Sequence, residues 1–403
     1  MADKAKTPVI LSGVRTPIGR FLGGLSPLPA TELGALTIRE AVRRAGIDPG
    51  AVQDVIMGNV VGAGGGQAPA RQAAIRGGIP ASVPAMTINK VCGSGLKAVM
   101  LAAQAIKAGD LQVVVAGGFE SMSNVPFYLR NHRGGVKFGD QTLQDGLIYD
   151  GLWCSFGNCH MGGHAEYTAN KAGISREEAD QFAYQSHRKA VAAIEGGKFR
   201  EEILPVEIKH RKGVDVVDTD ESPRKDTDME SLGRLRPAFP KDAPEGIETL
   251  VVTAGNAPGL NDGAASLVVA SQAFAEAHGL PIQAFIKGYA VGSTEPQDLF
   301  FAPIDAVQKL MAKDGKTIGD YGLFEFNEAF AVQAIADIRE LAVDPERVNV
   351  HGGAVALGHP IGASGARVLV TLLSAMKDRG ESSGVAALCL GGGNAVALSV
   401  EMG

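Results

Sequence analysis

Cys92 stands where the β-branched stretch Thr87-Ile88-Asn89-Lys90-Val91 runs into Gly93-Ser94-Gly95 and then the helix-like segment Leu96 to Ala108. A thiol at the positive end of a helix, with a basic neighbour, is expected to fall from its usual ~8.5 toward neutrality and become a nucleophile. The alternative is a buried, inert cysteine in a glycine-rich turn. A second thiol, Cys389, ends the apolar run Val385 to Leu390 before Gly391-Gly392-Gly393, and taken alone it reads as a buried strand cysteine. His359 precedes Pro360 at the head of a second helix-like segment, and Asn327 precedes Glu328-Ala329-Phe330. On their own these two read as a turn histidine and a helix N-cap. Cys154, Cys159, His160 and His164 form C-x4-C-H-x3-H, four residues of zinc-ligand type. Adjacent ligands fit one tetrahedral centre poorly, and structural zinc sites space theirs by two or more residues, so no metal is expected.

The elements that must position these groups occur twice. Ser94-Gly95 aligns with Ser364-Gly365, each at the head of a helix candidate, the second running Val368 to Lys377. After each helix candidate come a glycine and an acidic residue, Gly109-Asp110 and Gly380-Glu381, and then the apolar runs Val113 to Gly118 and Val385 to Gly392. Upstream, Val55-Ile56-Met57-Gly58-Asn59 matches Leu323-Phe324-Glu325-Phe326-Asn327. The pattern predicts a duplicated α/β unit.

Between the halves, from about Ser121 to Pro244, the texture changes to polar, charge-mixed segments such as Asp215 to Arg236 with one amphipathic helix candidate, Ser175 to Glu195. An excursion of this length reads as a capping subdomain rather than a linker. Ser175-Arg176-Glu177-Glu178 fits a capping box. The chain is expected to return to the first half's sheet through Leu250-Val251-Val252-Thr253 and Ser266 to Ala270. The division predicted is 1–121 for the first half, completed by about 250–273, with 122–249 inserted and 274–403 as the second half.

The 403 residues are 45% hydrophobic with 53 glycines, enough for a large core with many tight turns. A net charge of -6 argues against general nucleic-acid binding, and no apolar run reaches membrane-spanning length. Four cysteines are too few for a disulfide framework at this length, which points to reduced thiols in a cytosol.

The chain resembles the thiolases over nearly its whole length. The resemblance lies in Arg15-Thr16-Pro17-Ile18-Gly19, Asn89 to Gly95, Gly118 to Ser123, Asn256 to Ala265, Asn327-Glu328-Ala329-Phe330, Gly352 to Arg367 and Cys389 to Gly393, all in the family's order. It implies a thiolase-like fold of two duplicated α/β halves in a five-layered αβαβα arrangement with an inserted capping subdomain. It also implies reversible condensation of two acetyl-CoA to acetoacetyl-CoA, or thiolytic cleavage of 3-ketoacyl-CoA. Coenzyme A and its thioesters are then substrates, with no tightly bound cofactor, and the assembly is expected to be a homodimer or homotetramer.

By this resemblance Cys92 carries the acyl group, His359 is its base and Cys389 moves the proton at carbon. One oxyanion site is formed by His359 and a water on Asn327, the other by backbone N–H groups of Cys92 and Gly391. His160-Met161 matches an element beside the pantetheine and acyl group. Arg224, Phe239, Ala254, Gly255, Leu260 and Phe330 match CoA-contacting positions, and the short-chain members are the nearer match. The chain departs from the family's usual residue at Pro258 (serine), Phe119 (methionine) and His351 (asparagine), and Pro244 to Leu250 is longer, changes that bear on pocket shape. Two rival readings fit less well: a β-ketoacyl synthase generally lacks the second catalytic cysteine, and an inactive acyl-CoA-binding or lipid-binding relative need not keep all four catalytic residues. A degradative thiolase of longer chain preference is the alternative within the family.

Overall fold

The structure is a computed structural model that describes residues 3–403. The first half contributes β1 (Pro8–Arg15), α1 (Ala30–Ala45), β2 (Asp54–Gly58), α2 (Pro69–Arg76), β3 (Ala85–Ile88), α3 (Ser94–Ala108) and β4 (Val113–Ser121). The excursion carries a short hairpin, β5 (Trp153–Cys154) and β6 (Cys159–His160), followed by α4 (Met161–Lys171) and α5 (Arg176–Glu195). Return to the sheet is through β7 (Asn261–Ser271), and the second half adds β8 (Ala284–Ser293), α6 (Ala302–Asp314), β9 (Leu323–Phe326), α7 (Ala331–Glu340), α8 (Ile361–Arg379), β10 (Ser383–Leu390) and β11 (Asn394–Met402).

Strand order is β9-β10-β11-β8-β1-β7-β4-β2-β3. The two halves join edge to edge between β1 and β8 through only Val9↔Phe285 and Ile10↔Ala284. Period-two alternation then sends alternate side chains to opposite faces. Val9, Leu11, Val55, Met57 and Val268 pack under α1 and α2, whereas Ile10, Ile56, Val114 and Leu267 pack on the other side against α3 and α8. The second half covers the opposite side of α3 and α8 with Leu388, Val396 and Leu398, and its outer face packs Val385, Ala387 and Ala397 against α6. The layers are therefore helices, sheet, the central pair α3 and α8, sheet, and helices.

Each central helix is closed by the expected glycine, Gly109 and Gly380, in the left-handed conformation at φ 89° and 69°. The pair crosses at equivalent glycines. A Cβ on Gly95 would lie 2.6 Å from the Ala366 backbone nitrogen, and one on Gly365 would lie 2.3 Å from that of Leu96. Backbone-to-backbone contact at this point brings the heads of both helices to one place, and with them Cys92 and His359.

The halves differ in one connection. In the second half β10 turns into β11 through Gly391-Gly392-Gly393, whereas the matching step from β4 to β7 is the whole excursion. Two local expectations are corrected here. Val251 and Val252 do not join the sheet, because their N–H groups donate to the buried Glu166 carboxylate at 2.8 and 2.9 Å. Ser175 does cap α5, accepting from Glu178 N, but the Glu178 side chain pairs with Arg339 instead of closing the box.

Candidate active site

The turn before α3 is held in an uncommon backbone state. Val91 has φ 47°, a left-handed conformation that a β-branched residue adopts only when its surroundings impose it. Asn89 Oδ1 accepts from Val91 N at 2.9 Å, while Ser94 Oγ donates to Val91 O at 2.7 Å and accepts from Lys90 N at 2.8 Å. This frame aims Cys92 into a cavity of about 290 Å³ that also receives His359, Cys389 and Gly391.

His359 is buried and its imidazole is oriented from behind. Ser364 Oγ donates to Pro360 O at 2.9 Å, so its lone pair accepts the proton of His359 Nδ1 at 2.7 Å. That leaves Nε2 as an unprotonated acceptor, with Asn327 Nδ2 at 3.4 Å. Asn261 Oδ1 fixes the backbone by accepting from His359 N at 2.9 Å. Ser364 and Asn261 lie in the matched motifs, yet sequence reasoning gave neither a role. In chain position Ser364 is to His359 what Ser94 is to the Asn89–Cys92 turn.

Burial sets the protonation states. The Cys92 thiol is pushed up to about 12, although the N–H groups of Cys92 and Gly391 both favour its thiolate. The expectation of a near-neutral thiol is thus corrected: loss of solvent outweighs the helix terminus and its amides. Cys389 is likewise held well above the ordinary thiol range by burial, then by the proximity of Cys92 and Asp337. Burial, and secondly Arg367, lower His359 to about 3. The resting centre is therefore two thiols and a neutral imidazole. Beneath it the buried Glu120 carboxylate accepts from Asn59 Nδ2, Val60 N, Val61 N and Gly362 N, tying the turn after β2 to the head of α8. Desolvation raises it to about 7 despite those bonds.

The wall opposite is aromatic and comes from the excursion, the turn leading into α6 and the residue that precedes α7. His160 stacks on Phe239 with ring centroids 4.6 Å apart, and Phe239 and Phe300 each meet Phe330 edge-on. His160 Nδ1 accepts from Gly162 N, capping α4, and Met161 follows into the cavity. Pro258 and Leu260 line it too, as do Met122, from the matched Gly118 to Ser123 motif but given no role there, and Ile148 and Leu299, which carried no sequence signal. Among the described residues, no group of three or more His, Cys, Asp or Glu is placed to hold a metal ion.

Ten of the fourteen expected site residues meet in this cavity, and Asn327 touches it through His359. Three do not reach it. Arg224 is exposed on the excursion with its guanidinium and backbone N–H against His187. Ala254 is exposed, and Gly255 is packed where a Cβ would come within 2.6 Å of Leu232 and Leu235. Nor do two of the departures from the family pattern bear on the cavity. Phe119 is buried against Gly34 on the far face of the sheet, and His351 packs on Phe199 and Asp378.

Family models described as the thiolase N-terminal and C-terminal domains match residues 8–273 and 280–402. The chain belongs to the thiolase family. It is 51% identical to the acetyl-CoA acetyltransferase of Pseudomonas aeruginosa, covering 97% of this chain and 98% of that one. It is 52% identical to the protein of the same name from Cupriavidus necator, and 48% identical to a probable acetyl-CoA acyltransferase of Staphylococcus aureus, each over 98% of both chains. Among solved structures, the acetyl-CoA acetyltransferase of Bacillus anthracis superposes with a TM-score of 0.95 at 42% identity over 98% of both chains. Among the described residues, no helix of this thiolase is long and apolar enough to cross a membrane.

Proposed function

We propose that the protein condenses two molecules of acetyl-CoA to acetoacetyl-CoA and CoA, and runs the reverse cleavage, through an acetyl-Cys92 intermediate. The observation that carries this reading is the convergence of two protonated thiols and one neutral, oriented imidazole in a single apolar cavity. Protons balance from that resting state. The Cys92 proton passes to His359 Nε2 as the sulfur attacks the thioester carbonyl, and the departing CoA thiolate takes the Cys389 proton. Cys389 is then a thiolate beside the acetyl group. It removes a methyl proton from the second acetyl-CoA, whose carbon attacks the acyl carbon, and Cys92 leaves with the proton held on His359. All three groups end as they began.

Negative charge appears on oxygen in both halves of the cycle. The N–H groups of Cys92 and Gly391, which converge on the Cys92 sulfur, serve the acyl oxygen. The protonated His359, with a water on the buried and unbonded Asn327 Oδ1, serves the enolate. Each such donor is worth about 2.7–4 kcal/mol of transition-state stabilisation.

The excursion, 122–249 in this division, holds CoA. Phe239 and, just past the excursion, Pro258 flank the pantetheine arm, the exposed Ala254 lets it pass while Gly255 packs that turn on Leu232 and Leu235, and Arg224 meets the nucleotide end. Met161 closes the acyl end and favours a short chain. The edge strand β3, with Met86 44% exposed, supports assembly into a homodimer or homotetramer. The test is acetylation. Intact mass after brief incubation with acetyl-CoA and acid quench should show one acetyl adduct, absent in Cys92→Ala; the same adduct in that variant refutes the reading.

A further inference from the structure

The proposed chemistry leaves Cys154 and Cys159 without a use. They are the two residues that face each other across the β5–β6 hairpin, Cα partner to Cα partner, with Trp153 opposite His160 as the next pair. Directly opposed residues of an antiparallel pair put their side chains on the same face, with Cα atoms about 4.5–5.5 Å apart. That span lies inside the roughly 4.4–6.8 Å range a disulfide requires. Both sulfurs gather on the turn between the strands. Gly157 N donates to Cys154 Sγ at 3.3 Å, and a Cβ on Gly157 would lie 3.2 Å from Cys159 Sγ. A third group joins them. The same Cβ position is 3.1 Å from His164 Nε2, a buried ring nitrogen with no hydrogen-bond partner among the described residues. The two thiols differ in access, since Cys154 is 3% exposed and Cys159 is half-buried at the edge of an open cleft beside the active-site mouth.

We propose that Cys154 and Cys159 form a thiol–disulfide exchange site that small-molecule disulfides oxidise and small thiols reduce, clamping the hairpin that carries two walls of the acyl cavity. Cys159 is the attacking thiol because it is the accessible one. Its proton leaves to solvent or to His164 Nε2, which shares the Gly157 turn with it, and its sulfur attacks one sulfur of the disulfide, releasing one thiolate and leaving a mixed disulfide. Cys154 then loses its proton and attacks the Cys159 sulfur, releasing the second thiolate. Two protein thiols become one disulfide, the oxidant is reduced by two electrons, and the two protons end on the two released thiols. The closed loop is four residues, so no other part of the fold must move to reach it. Leu152 lies two residues before Cys154, and His160-Met161 follow Cys159 directly, all three lining the cavity. Oxidation therefore ties those walls together.

The chemical step is independent of the thiolase reading; its kinetic consequence rests on it, and the experiment reads the two separately. Full-length protein is incubated with glutathione disulfide, the remaining thiols are alkylated, and the protein is digested with trypsin. Both cysteines fall in the tryptic peptide 138–171. That peptide should lose two hydrogens and resist alkylation until dithiothreitol is added, and Cys154→Ser should instead hold one glutathione on Cys159. A doubly alkylated wild-type peptide, or a lasting glutathione adduct in it, overturns the exchange site. In the same sample kcat/KM for acetoacetyl-CoA should change at least threefold and recover on reduction, with no change in Cys154→Ser. A closed disulfide with unchanged kinetics, or the same loss in Cys154→Ser, overturns the clamp and leaves the disulfide chemistry as a separate result.

Discussion

Replacing Gly365 with alanine should disable the centre without touching any group that does chemistry. The new Cβ would lie 2.3 Å from the Leu96 backbone nitrogen and 3.0 Å from its Cβ. Backbone cannot rotate out of the way as a side-chain end can, so α8 must retreat from α3 by about 0.7 Å to restore a 3.0 Å approach. Alanine gains about 1 kcal/mol in helix propensity, which partly offsets an overpacking cost of about 1–3 kcal/mol. The net loss is therefore about 0–2 kcal/mol, small enough for the protein to fold at assay temperature. Catalysis should not escape so lightly, because His359 rides on the head of α8 and Cys92 on the head of α3. A misplacement of about 1 Å between reacting groups costs on the order of 10²-fold. A shift somewhat smaller than that should lower kcat about 10- to 10²-fold. The assay is loss of acetoacetyl-CoA enolate absorbance on adding CoA, with thermal melting in parallel and Gly233→Ala, whose Cβ meets nothing within 4 Å, as the control. If Gly365→Ala keeps kcat within threefold of wild type, the crossing glycines do not set the register of the two catalytic groups.

Other outcomes follow from the same geometry. Cys389→Ala should still accept acetyl on Cys92 and exchange it between CoA thiols, because CoA can depart as the thiolate and take its proton from solvent instead of from Cys389, while condensation, which needs a base for the methyl proton, falls by about 10²–10⁴; equal loss of both contradicts the assigned roles. Met161→Ala should raise kcat/KM for 3-ketohexanoyl-CoA relative to acetoacetyl-CoA, each methylene being worth about 1–3 kcal/mol; wild-type enzyme that already prefers the longer substrate removes the short-chain assignment. Glu325 is buried with Arg367 Nη1 3.6 Å away and no hydrogen bond to either oxygen, and burial raises it from the ordinary 4.5 to about 8. The folded state therefore keeps a proton that the unfolded chain releases, so this group's contribution is present below 4.5 and lost as pH rises toward 8. Urea midpoints measured from pH 5 to 8 should fall less steeply for Glu325→Gln, and parallel curves would show that Glu325 does not titrate as described.

What was legible in the sequence is what repeats or punctuates. Glycines at 109 and 380 closed two helices, and Ser94-Gly95 and Ser364-Gly365 marked their first turns, although the second helix begins earlier than its apolar run, at Ile361 and not Val368; the convergence of Cys92 with His359 follows from that repetition. Cys389 was different: a lone strand cysteine gives no local sign, and only the family resemblance brought it forward. Long-range contact defeated the local rules elsewhere. Val251 and Val252 have strand-like side chains, but their N–H groups are claimed by Glu166, about 85 residues earlier in the chain. Phe119 and His351 differ from the family's usual residues, yet sheet alternation and packing carry them away from the cavity. The Cys92 thiol was misjudged because a helix terminus can be read in sequence and burial cannot.

The crossing of α3 with α8 has a consequence for how such a centre can exist at all. If two separate, identical half-chains met at this crossing, whatever one presented to the seam the other would present as well. A cysteine would face a cysteine, and a histidine a histidine. Fusing the halves into one chain frees each position from its twin. Counting from the shared serine and glycine, His359 occupies the place that Asn89 holds in the first half, and Cys92 the place of Gly362. The base and the nucleophile can therefore be chosen separately, and the seam between two like bodies becomes a site of unlike groups.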